Sequence, residues 1–158
     1  MKKILFVFGS GGHAEEALRL FRSINKNFSF EFMLEKGDPL SEEKLKGFRI
    51  FKVVPTRGKK ESYLVTFFRT ILCSIESVCV YFKSRPDIIL STGPGLAVPI
   101  SFIGKIFGKK VVFVESWSRA NTKSISGKLI YSIADDFYVQ WPEMKKKYPK
   151  SIYKGRLG

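Results

Sequence analysis

The sequence predicts an α/β fold built on a doubly wound, mainly parallel sheet, and three observations carry that reading. Short apolar runs of strand length alternate with helix-length segments along the chain. Those runs are apolar without alternation, so each strand must be covered on both faces. Glycine-rich turns close two of the runs, as they do where a strand passes into a helix. The chain has 158 residues, 44% of them apolar and 15% aromatic. Residues 1–158 are therefore expected to form a single domain with a real core.

Each element follows in order. Residues 4–8 form a continuous apolar run that stops at glycine. A helix over residues 13–24 follows, with Ala14, Ala17, Leu18, Phe21 and Ile24 on one stripe. Residues 28–34 and 50–54 read as the second and third strands, and 61–83 as a long helix. Pro86-Asp87 opens a fourth strand over 88–90, which runs into Ser91-Thr92-Gly93-Pro94-Gly95. A helix over about 97–107, a strand over 111–114, a helix over 124–133 and a sixth strand over 137–139 complete a Rossmann-like pattern. Such sheets bind ligands beyond the carboxyl ends of their strands, so the loops after the first, fourth and fifth strands are the ones to inspect.

The first loop is Gly9-Ser10-Gly11-Gly12-His13. Its glycines leave amides uncovered, and the start of the helix adds partial positive charge, a combination suited to a phosphate. His13 falls in the first helical turn, where the helix dipole should keep it neutral and able to accept a proton. Two further readings stand beside this one. The loop is also a tight packing turn, and it also fits a loose dinucleotide fingerprint with Glu35 near the distance of a ribose hydroxyl.

The other two loops carry related chemistry. Gly93, Pro94 and Gly95 form either a rigid turn or a second backbone wall of the same cleft. Glu115 and Ser116 emerge from an apolar strand end, with Arg119 four positions beyond the carboxylate. Glu115 is suited to orienting a sugar hydroxyl, and Arg119 to gripping a pyrophosphate bidentately. An ion pair between the two that merely fixes the loop is the alternative.

The formal net charge of +14 points to a polyanionic partner. Lys52, Arg57, Lys59 and Lys60 precede the apolar helix, and six more basic residues follow from Lys145 to Arg156. No recognition-helix signature, ribonucleoprotein-type aromatic pair or zinc finger accompanies them, so nucleic acid is not the expected partner. The helix over 61–83 contains Arg69 and Glu76, both costly inside a bilayer, so a spanning segment is not expected. Its apolar residues cover more than one packing face needs. That favours docking on an anionic membrane surface through Arg57, Lys59, Lys60, Phe67 and Phe68, with a helix buried in the core as the alternative. Cys73 and Cys79 read as buried, reduced thiols on different helix faces. No residue cluster suggests a metal, and no cofactor is expected. The apolar run after Met1-Lys2-Lys3 is too short for a signal core, which predicts a cytoplasmic location.

Taken together, several segments resemble a known family. These are Gly9-Ser-Gly-Gly-His13, Arg85-Pro-Asp87, Gly93-Pro-Gly95, Val114-Glu-Ser116 with Arg119, Ser126-Gly-Lys-Leu-Ile-Tyr131, Ala134-Asp135, Val139-Gln-Trp-Pro142 and Tyr148-Pro149. The chain resembles the non-catalytic subunit of the eukaryotic two-piece UDP-N-acetylglucosamine transferase that adds the second sugar to dolichol pyrophosphate. It is also similar to the prokaryotic split transferases of exopolysaccharide assembly.

The resemblance implies the N-terminal half of a GT-B glycosyltransferase, the acceptor side. A donor-binding catalytic subunit would complete a heterodimer and share the UDP-sugar, and the acceptor would be a polyprenyl-linked saccharide. By the same match, His13 takes the role of general base without a catalytic metal. Gly9, Ser10, Gly11, Gly12, Gly93, Pro94, Gly95, Glu115, Ser116 and Arg119 bind acceptor and phosphate. The tail supplies Ile152, Tyr153 and Leu157 as anchors for the partner. The eukaryotic subunit has an N-terminal membrane anchor, whereas this sequence opens on its first strand. A peripheral position on the inner face of the membrane is therefore expected.

Overall fold

The computed structural model describes residues 1–24, 27–56 and 62–157. Its strands are β1 (Lys3–Val7), β2 (Ser29–Glu35), β3 (Arg49–Val53), β4 (Ile88–Ser91), β5 (Lys110–Val114), β6 (Asp136–Val139) and β7 (Ile152–Tyr153). Between them lie α1 (Gly12–Ser23), α2 (Pro39–Lys44), α3 (Tyr63–Ser84), α4 (Ala97–Ile106), α5 (Ile125–Ile130) and a 3₁₀ segment, Pro142–Lys146. Among the described residues the strands form one sheet in the order β3-β2-β1-β4-β5-β6-β7, with every pairing parallel. The strand order reverses between β1 and β4, which opens a crevice at their carboxyl ends.

The period of two along each strand assigns side chains to the two faces. In β1, Leu5 and Val7 point to the face covered by α3, α4 and α5, together with Ile89, Val111 and Phe113. Ile4 and Phe6 point to the opposite face, against Ala17 and Leu18 of α1. The phenylalanine-rich composition is spent on this second face. Phe6, Phe21, Phe32 and Phe48 pack edge-on or stacked, with Phe21 and Phe32 at 5.2 Å between ring centres. Further along the same face, Leu90 of β4 and Val114 of β5 are buried in the cluster that contains α1, and the sheet beyond them is less closely packed. A groove of about 500 Å³ lies there, walled by Leu20, Ile24, Phe28, Val112, Tyr138 and Leu157.

Three elements were not foreseen. Helix α2 reads as polar and lacks an apolar stripe; Pro39 starts it, and the Asp38 side chain accepts from Ser41 N at 3.2 Å. The sequence pattern offers no element over Pro142–Lys146, and β7 falls within the segment read as a tail. Ile152 and Tyr153 instead pair with Tyr138 and Val139 and extend the sheet by one edge strand.

Helix α3 breaks the usual rule of burial. Ser62 caps its start, and Arg85 ends it in the left-handed region at φ 49° just before Pro86. Cys73, Ser77, Val80, Tyr81 and Ser84 are buried, while Leu64, Phe67, Phe68, Leu72, Ile75 and Phe82 are exposed. By length and composition alone it is apolar enough to cross a membrane, with mean hydropathy 1.5 over an 18-residue stretch of its 22 residues. The Glu76 carboxylate nevertheless ties it to the sheet edge, accepting from Val54 N at 2.6 Å and from Lys36 Nζ. Cys73 is buried as expected, and burial pushes its thiol up to about 11. The expectation for Cys79 is corrected: it is exposed, because it falls on the outer face of α3.

Candidate functional site

A cleft of about 630 Å³ opens where the strand order reverses. His13, Glu35, Gly93, Pro94, Gly95, Ser116 and Arg119 line its inner end. Thr66, Thr70 and Ser74 of α3, with Phe102 of α4 and Leu129 of α5, line its outer flank. The loops after β1, β4 and β5 thus meet, as the sequence predicted. The structure brings His13, Gly93–Gly95, Ser116 and Arg119 to one surface.

His13 sits in the first turn of α1. Its Nδ1 lies 2.8 Å from the Thr92 carbonyl oxygen, which can only accept, so Nδ1 carries the ring proton. Nε2 is left as the nitrogen with a free lone pair in the neutral ring. Gly93 permits this approach: its φ is 90°, and a Cβ there would stand 3.2 Å from His13 Cε1. The helix dipole does not act alone on His13. The Glu16 carboxylate, 3.5 Å from Nδ1, is the largest influence and raises the pKa above the ordinary 6.5. Burial opposes it, the Thr92 carbonyl and Glu35 add to it, and the net shift is upward. A full carboxylate at this distance outweighs the partial charge of a helix end.

The glycine loop stands beside the cleft. Gly9 is buried, and a Cβ on it would meet Glu35 Oε1 at 2.9 Å and Pro94 Cβ at 3.2 Å. Ser10, Gly11 and Gly12 are exposed at the start of α1, with Gly11 at φ 67°. Among the described residues no acceptor reaches the amides of Gly11, Gly12 or His13. Glu35 bears on the dinucleotide reading: its Oε2 already accepts from Ser10 Oγ at 3.0 Å and Ser10 N at 3.4 Å.

Glu115 is turned inward, with 1% of its surface exposed. It accepts from Ser116 N at 3.1 Å, Ser124 Oγ at 3.0 Å and Tyr148 Oη at 2.9 Å. Burial, then the Glu115 charge, pushes the Tyr148 hydroxyl well above its ordinary pKa. Glu115 therefore staples the β5 loop to α5 and to the tail. Neither sequence expectation for it holds as a direct contact: it does not line the cleft, and Arg119 bonds Thr122 Oγ1 at 3.3 Å instead. Arg119 is exposed at the cleft, where it can meet an anion.

Glu16, Thr92 and Gln140 were missed. Glu16 is fully buried, three positions after His13 on the same helix face. A charged residue inside the stripe of Ala14, Ala17 and Leu18 was the signal that could have revealed it.

Phe67 and Phe68 are 60% and 57% exposed on the outside of α3. Arg57, Lys59 and Lys60 lie outside the described residues. Ile152 and Leu157 are half-buried and Tyr153 is exposed; Leu157 N donates to Gln140 Oε1 at 2.9 Å. Among the described residues no three His, Cys, Asp or Glu side chains converge as a metal site.

Comparison with known proteins gives consistent findings. The family model described as "Oligosaccharide biosynthesis protein Alg14 like" matches residues 4–157. The chain is 36% identical to the human UDP-N-acetylglucosamine transferase subunit ALG14 over 177 residues, covering 98% of this chain and 82% of that one. It is 36% identical to the Schizosaccharomyces pombe protein of the same name, with the same coverage. Among solved structures, Acinetobacter baumannii MurG superposes with TM-score 0.75 at 14% identity. The Neisseria meningitidis UDP-GlcNAc 2-epimerase superposes with TM-score 0.69 at 13% identity. This chain covers 46% and 47% of those two structures, so the shared fold spans about half of each.

Proposed function

The chain belongs to the Alg14-like family of oligosaccharide biosynthesis proteins, and from that premise we propose that it is the acceptor-side subunit of a split UDP-sugar glycosyltransferase. The donor is UDP-N-acetylglucosamine, as the names of its relatives suggest. The acceptor is a sugar carried on a polyprenyl pyrophosphate. One observation carries this reading. The cleft joins the chain's sole histidine and an exposed arginine to the flank of a helix whose outer face is apolar and open. A substrate with a sugar and pyrophosphate at one end and a hydrocarbon tail at the other has that profile.

In this reading the pyrophosphate lies between Arg119 and the uncovered amides of the glycine loop. The lipid runs past α3, whose Phe67 and Phe68 enter the surface of an anionic membrane on its cytoplasmic face, helped by Arg57, Lys59 and Lys60. His13 Nε2 takes the proton of the acceptor hydroxyl. That oxygen attacks the anomeric carbon of a UDP-sugar held by the partner, and UDP leaves as the new bond forms, with inversion. Gly93–Gly95 and Ser116 shape the wall, while Glu115 acts through the loop it staples. The partner seats against the tail residues Ile152, Tyr153 and Leu157 and the groove beside them. Calorimetric titration of the purified chain tests the division of labour. A lipid pyrophosphate-linked sugar should bind, and UDP-N-acetylglucosamine should give no heat. Tight binding of the UDP-sugar to the isolated chain would reverse the assignment.

A further inference from the structure

Glu16 has no exposed surface, yet nothing in its apolar neighbourhood requires a charge. Burying a carboxylate is costly unless its oxygens are satisfied, and here donors converge from several segments. Oε1 accepts from Trp117 N and from Gln140 Nε2 at 2.9 Å. Oε2 accepts from Ser116 Oγ at 3.0 Å and lies 3.5 Å from His13 Nδ1. Gln140 is itself fixed: its Nε2 also reaches the Glu115 carbonyl at 3.0 Å, and its Oε1 accepts from Leu157 N at 2.9 Å. The carboxylate is therefore held in place by the β5 loop and the end of β6 rather than by its own helix.

We propose that Glu16 is a positioning residue for His13: with the Thr92 carbonyl it holds the imidazole in the Nδ1–H form, leaves Nε2 toward the cleft, and stabilises the imidazolium formed when Nε2 takes a proton. This rests on the reading of His13 as the base for the acceptor hydroxyl. The charged groups around the ring are Glu16 from α1, Glu35 from the end of β2 and Arg119 from the loop after β5, while Thr92 and Gly93 after β4 present backbone. Among these Glu16 is the closest to Nδ1 and the one out of water, so its charge is the least screened.

The substitution Glu16→Gln isolates the charge. Its carbonyl can keep the bonds from Trp117 N and Gln140 Nε2, and its amide can donate to Ser116 Oγ, so shape and packing are retained. Because His13 is the sole histidine, its ring signals can be followed by NMR in the full chain without overlap. The wild-type ring should titrate above 6.5, and the E16Q ring at a lower pH than the wild type. In the complex with the donor-binding partner, E16Q should lower kcat about 10- to 100-fold, leave KM nearly unchanged and move the acid limb of activity to lower pH. A measurement on the wild type alone guards against a variant that folds poorly: nitrogen shifts above the titration should place the proton on Nδ1. An unchanged His13 titration in folded E16Q, or the Nε2–H form in the wild type, overturns the role of Glu16 and leaves His13 as base untouched. A His13→Ala complex with wild-type turnover overturns the underlying reading instead.

Discussion

Helices α1 and α3 flank the same cleft and invert each other's chemistry. On α1 a carboxylate, Glu16, has no exposed surface, whereas on α3 Phe67 and Phe68 are more than half exposed. Each departs from the rule that apolar groups go inside and charges outside, and each departure costs stability unless something offsets it. For Glu16 the offset is a full set of donors within the fold. For α3 none lies within the described chain, and the membrane surface proposed above would supply it. The inner end of the cleft is thus preorganised, and its outer flank is unfinished.

The most damaging way to break the α1 side is His13→Ala. In the assembled complex it should cut kcat about 10²- to 10⁴-fold, the usual worth of a positioned general base; a steady-state assay checks this, and near-normal turnover would leave the chain only a scaffold. The sign of the pH dependence sharpens the same point. With its pKa raised above 6.5, a His13 that acts as base would be mostly neutral only above that raised value, so kcat/KM should fall as pH drops through it. Stability runs the other way. The protonated His13–Glu16 contact contributes fully below the unfolded-state pKa of about 6.5 and is lost as pH rises through the folded value. Thermal melts of H13A should therefore show a larger loss of stability relative to wild type on the acid side than on the alkaline side.

Breaking the α3 side should look different. Replacing Phe67 and Phe68 together by serine removes apolar area from the outer face, and binding to phosphatidylglycerol-containing vesicles should weaken about 10- to 100-fold. Thermal stability should hold, since both rings are exposed in the folded chain; a large drop in melting temperature would mean that they serve the core. Neutralising Lys59 and Lys60 is the mildest change. It should cost about 1 kcal/mol each in vesicle binding, and the difference should shrink as salt is raised.

The contrast also explains what the sequence disclosed. Strand-length apolar runs such as residues 4–8 and 111–114 pointed to a parallel sheet, and six strands were legible. Helix α2 and β7 were not, because a six-residue polar helix and a two-residue edge strand depend on caps and pairing rather than on periodicity. The cleft loops were legible through their glycines and His13. The inward turn of Glu115 was not, since Ser124 and Tyr148 lie 9 and 33 positions away. The upward shift of His13 was not legible for a related reason: the helix dipole is visible in a sequence, whereas the burial that strengthens Glu16 is a property of the fold.

Reconstitution tests the central claim most directly. Transfer from UDP-N-acetylglucosamine to a polyprenyl pyrophosphate-linked sugar is measured with this chain alone, with its donor-binding partner alone, and with the two combined. Activity should appear only in the combination. Full turnover by this chain alone would contradict the account.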